Sequence, residues 1–84
     1  MKRSKQGHPP KPKRPEWTGR QRLAENIREV RLAQGMSQEA LAEAAGFHRT
    51  FVSQVERRKN NISIDNIERL ARALGVDLVE LLKR

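Results

Sequence analysis

Residues 38–57, QEALAEAAGFHRTFVSQVER, decide the fold of this 84-residue chain. The segment divides at Gly46 into two short stretches of helical periodicity. Leu41, Ala44 and Ala45 supply a small apolar face before the glycine, and Phe51 or Val52, together with Val55, supply a second after it. Two helices joined by so short a turn cross at a steep angle. The residue nearest the crossing must then be small, and the turn residue must reach positive φ. Ala42 and Gly46 meet those needs. With Val52 and Val55 facing inward, Arg49, Thr50, Ser53 and Gln54 point outward on the opposite face. An exposed polar helix face is what the major groove of a duplex accepts.

Working outward, the same periodicity continues on both sides. Thr18 followed by Gln21 is a capping-box pattern, and Leu23, Ile27 and Val30 mark one face of a helix running to about Gln34 and ended by Gly35. Ser37 caps the helix that holds Leu41, and a third helix spans about His48 to Arg57. A fourth begins after Ser63, with Ile64, Ile67, Leu70, Ala71 and Leu74 at the 3.6-residue period and Gly75 as its stop. Asp77 with Glu80 makes a second capping box, opening a short fifth helix with Val79, Leu81 and Leu82. Five short helices and no strand pattern give an all-α class.

The N-terminal stretch is different in kind. Residues 1–17 contain all four prolines, and six basic side chains (Lys2, Arg3, Lys5, Lys11, Lys13, Arg14) stand there against Glu16. With almost nothing apolar before Trp17, this reads as a disordered basic arm, and residues 18–84 as the folded domain. Trp17 is expected to pack on that domain as an anchor.

Composition narrows the function classes. A net charge of +8 and a pI near 11.1 point to a polyanionic partner, nucleic acid being the commonest for so basic a chain. Without cysteine, neither disulfides nor thiolate-bound zinc can staple the small core, so a partner subunit is a natural source of extra stability. No run approaches the roughly 18 apolar residues of a membrane span, and the lack of cysteine fits a reducing cytoplasm, the expected compartment, with association to the bacterial nucleoid. His8 and His48 lack the neighbours a metal site needs, so no metal is assigned. The chain shows no glycine-rich phosphate loop, nucleophile constellation or paired carboxylates, and neither an enzymatic role, a cofactor nor a small-molecule effector is expected.

The segment from Gln38 to Arg57 resembles the helix-turn-helix of the phage repressor and Cro class, also called the Xre type. Gln38, Ala42, Gly46, Val52 and Val55 match that pattern, as do Arg31 and Glu56, and NISIDNIERLARALGVDLVELL at 61–82 resembles the family's fourth and fifth helices. The resemblance implies a five-helix lambda-repressor-like DNA-binding domain that acts as a transcriptional regulator. It also implies base-reading roles for Arg49, Thr50, Ser53 and Gln54, and a phosphate anchor at Gln38 with His48 beside it. Arg31 and Glu56 would link the first and third helices.

The chemistry of the residues agrees. Arg49 can donate twice to guanine, Gln54 can pair with adenine, and Thr50 offers a hydroxyl or a methyl to thymine. Arg58, Lys59, Asn60 and Asn61 form a polar loop suited to phosphates. A homodimer on a pseudo-palindromic operator of double-stranded DNA is expected, with Leu78, Val79 and Leu82 as dimer contacts. Two alternatives stand beside this reading: a restriction-modification controller protein, which the chain also resembles, and an antitoxin-like or adaptor module whose helix face binds protein.

Overall fold

The computed structural model describes residues 18–83, which form five helices: α1 (Gly19–Ala33), α2 (Gln38–Ala45), α3 (Arg49–Glu56), α4 (Ile64–Leu74) and α5 (Leu78–Leu82). Among the described residues there is no strand. The expectations for residues 1–17, including Trp17, lie outside the described residues.

Four of the five helices start where a side chain serves their unpaired amides. Thr18 and Gln21 form the reciprocal capping box of α1, and the hydroxyls of Ser37 and Ser63 accept from the amides of Ala40 and Asn66. At α5 the second box is only half made. Asp77 accepts from the Val79 amide, whereas the Glu80 carboxylate turns instead to the Lys83 ammonium at 2.8 Å and raises its pKa. The third helix begins one residue later than expected, with His48 as its N-cap and no side-chain cap bond.

The helices close around one core. Ile27, Leu41, Val52, Leu70 and Leu81 are fully buried, one from each helix, and Leu23, Val55, Ile67 and Leu74 complete their layer. Helix α2 packs on α3 and α4, while α1 packs on α3 and α5, so α3 is held from two sides. Two expected core positions face out. Ile64 is 57% exposed because it sits at the first position of α4, ahead of the turn that meets the core, and Ala44 is exposed at the edge of the α2 face that buries Leu41, Ala42 and Ala45.

Polar side chains tie the helix ends together. From α1, Gln34 Nε2 donates to the Leu74 carbonyl at 2.6 Å, and Asn26 Nδ2 donates to the carbonyls of Leu81 and Lys83. One helix thus satisfies the open C-terminal carbonyls of two others. Arg69 does the same for α2, donating to the Ala45 and Gly46 carbonyls at 3.0 Å with its guanidinium 4.2 Å from the Phe47 ring centre.

Candidate nucleic-acid interface

The site is built on a buried ion pair. Arg31 of α1 donates through Nε and Nη2 to both carboxylate oxygens of Glu56, at 2.7 and 3.0 Å, and through Nη1 to the Met36 carbonyl at 2.8 Å. Gln38 Nε2 adds a third donor to Glu56 at 3.0 Å. The two charged side chains are only 9% and 5% exposed, so this network is a framework rather than a surface contact. It fixes the end of α3 against α1 and the first residue of α2. Gln38, expected as a phosphate anchor, therefore has its side-chain amide oriented by Glu56, with its second N–H free of that bond.

On that framework α3 turns its polar side outward. Val52 and Val55 are buried, Arg49 and Thr50 are exposed, and Ser53 and Gln54 are half-buried along the same face. Gln54 Oε1 accepts from Asn60 Nδ2 at 2.9 Å, which positions its amide from the loop that follows. Phe51, half-buried, meets Phe47 with ring centres 4.5 Å apart and so braces the turn between α2 and α3. That turn has the predicted geometry. Gly46 has φ of 79°, and Ala42 at the crossing is 2% exposed.

The loop after α3 gathers positive charge. Arg57, Arg58 and Lys59 are all exposed, Asn61 accepts from the Arg20 guanidinium, and Arg58 pairs with Glu25 of α1 at 3.1 Å. Arg20 is a member of this surface that the sequence reading did not single out, because nothing in the first turn of α1 signals its proximity to Asn61. His48 lies exposed at the N-terminus of α3 beside Arg49. The expected site residues lie at the start of α2, along the outer side of α3 and in the α3–α4 loop, with Gln38 joined to α3 through Glu56 and Gln54 joined to the loop through Asn60. The expected dimer residues lie elsewhere, on α5: Val79 is 62% exposed, while Leu78 and Leu82 are half-buried against the core.

Residues 27–81 match the Helix-turn-helix family, and the chain belongs to it, a family of DNA-binding transcriptional regulators. It is 52% identical over 60 residues to a hypothetical transcription factor of Neisseria meningitidis, a match covering 71% of this chain and 57% of that protein. It is 44% identical over 62 residues to the control protein C.SmaI of Serratia marcescens, covering 74% of each. Among solved structures, that of the transcription factor NHTF from Neisseria aligns with a TM-score of 0.79 at 46% identity, over 88% of this chain and 85% of that one. The restriction-modification controller C.Esp1396I, solved as a tetramer on its natural 35-base-pair operator, aligns with a TM-score of 0.70 at 32% identity, over 81% of this chain and all of that one. Thus the chain spans somewhat more than half of the Neisseria protein and about three quarters of the control protein.

Proposed function

We propose that this chain is a sequence-specific regulator that binds an inverted-repeat operator as a homodimer, each α3 entering one of two successive major grooves about 34 Å apart. The observation that carries this reading is the division of α3 into a buried side locked by the Arg31–Glu56 pair and an outer side that presents Arg49, Thr50, Ser53 and Gln54. A reading surface must be rigid before contact, because each side chain has to meet a base edge without reorganising the helix beneath it. Arg49 reads guanine and Gln54, already oriented by Asn60, reads adenine. Gln38, His48, Arg58, Lys59, Asn60 and Asn61 contact the backbone and set register. The basic residues before Trp17 add sequence-independent attraction.

Similarity to C.SmaI and to C.Esp1396I supports a more specific reading, a controller of a restriction-modification operon. On that reading the operator lies upstream of the chain's own gene and an endonuclease gene. Selection of bound sequences from a random duplex library at about 150 mM salt tests the proposal. Enrichment of an inverted repeat supports it, and its location identifies the regulated promoter; no enrichment overturns it and favours a protein-binding role for α3.

A further inference from the structure

Four of the five helices end with the same backbone device, and one of the four breaks its rule. At the ends of α1, α2 and α4 a glycine takes the left-handed conformation (Gly35 φ 70°, Gly46 φ 79°, Gly75 φ 71°), and the next amide reaches back to a carbonyl of the last turn. Helix α3 does likewise: the Arg58 amide donates to Val55 at 3.0 Å and the Lys59 amide to Gln54 at 2.8 Å. Here, however, the left-handed residue is an arginine, with φ of 62°. Among the described residues Arg58 is the one non-glycine at positive φ.

This placement is unfavourable for a side chain with a Cβ, and the contacts that Arg58 makes among the described residues return less than it costs. The ion pair with Glu25 is open to solvent on both sides, 46% and 45% exposed, and such pairs return less than the left-handed backbone costs. Charge at the C-terminus of α3 does not require it either, since Arg57 and Lys59 flank it. The chain uses glycine at the equivalent point three times, so an arginine here serves something outside the folding of the domain.

We propose that Arg58 is retained at this strained position because its guanidinium passes from the Glu25 carboxylate to a DNA phosphate when α3 enters the groove, with Glu25 acting as the resident competitor in the free protein. The inference rests on the DNA-binding reading above and adds to it a residue whose worth for binding and whose worth for stability have opposite signs. Because the left-handed residue fixes where the chain leaves α3, the guanidinium starts from a defined point beside the helix that is read against the bases.

Thermal unfolding and salt-dependent DNA binding of the full chain test it with four variants, three single and one double. Arg58→Gly and Arg58→Ala both remove the guanidinium, but only the first relieves the backbone. Arg58→Gly is expected to melt about 4–8 °C above Arg58→Ala. On the duplex selected from the library, titrated from about 50 to 200 mM salt, both variants are expected to lose about one unit of log–log salt slope. Glu25→Gln is expected to bind that duplex several-fold more tightly, and this gain is expected to vanish in the Arg58→Ala background. Equal melting of the two Arg58 variants would overturn the strain argument. Wild-type salt slopes in both variants, or a Glu25→Gln gain that survives without Arg58, would overturn the phosphate transfer. Since the melting comparison uses no DNA, and wild-type binding to the selected duplex is measured alongside, failure of the general DNA-binding reading is seen separately from failure of this one.

Discussion

Glu56 sits where three donors converge, and its removal is far more damaging than the loss of a surface charge. The Arg31 guanidinium is buried beside it, so Glu56→Ala leaves a cation in the interior with only the Met36 carbonyl as a remaining partner. The expected cost is about 3–5 kcal/mol, read as a fall in the midpoint of guanidinium chloride unfolding. By contrast, exposed side chains outside this framework act on binding and leave stability nearly unchanged. Arg49→Ala is expected to weaken the selected duplex by about 1–3 kcal/mol and to relax preference at one base pair, as read by repeating the selection. Lys59→Ala is expected to weaken specific and random duplexes alike and to reduce the salt slope by about one unit. Equal effects of both substitutions on specific and random DNA would remove Arg49 from the reading surface.

At the scale of the helices, the ends are where sequence and structure can be compared most closely. The starts of α1, α2 and α4 and the three glycine stops are legible because caps and left-handed turns depend on residues within a few positions of one another. The end of α3 is not legible: Arg58 carries no local mark of a left-handed residue, and the glycine that marks the ends of α1, α2 and α4 is missing there. Equally hidden were Asn26, Gln34 and Arg69, whose carbonyl partners lie 23 to 57 residues away in sequence. For the candidate site, the exposed positions of α3 followed from the Val52 and Val55 spacing, whereas the orientation of Gln38 by Glu56 and of Gln54 by Asn60 needed the packed helices. The Arg69 cap also separates two glycines that look alike in sequence. A Cβ on Gly75 meets nothing within 4 Å, so Gly75→Ala is expected to cost only the left-handed strain, about 1–2 kcal/mol. A Cβ on Gly46 would lie 2.8 Å from Arg69 Nη2 and displace the guanidinium from two carbonyls, adding about 1 kcal/mol. Parallel urea titrations that ranked Gly75→Ala as the more damaging change would deny Arg69 its capping role.

For the molecule as a whole, the surface expected to carry assembly lies on α5, apart from the helix that presents Arg49. A domain this small buries little apolar surface, yet Val79 stands 62% exposed on the short α5, with Leu78 and Leu82 half-buried beside it. Because α5 packs on α1 and α4, a second copy docking there would be coupled to α3 through α1, and would set the spacing of two reading helices without touching either. Replacing Val79 by glutamate leaves the core intact, since Leu81 and not Val79 fills the interior from α5. Val79→Glu is therefore expected to melt within a few degrees of wild type when both are monomeric, and to sediment as a monomer at concentrations where wild type is a dimer. Binding to a single half-site should then be unchanged, while binding to the full inverted repeat falls to the half-site level, because the second α3 is no longer held at the matching groove. A variant that still dimerises would place the interface elsewhere on the molecule. One that is monomeric yet binds the full repeat as tightly as wild type would show that the two copies assemble on DNA through contacts that α5 does not supply.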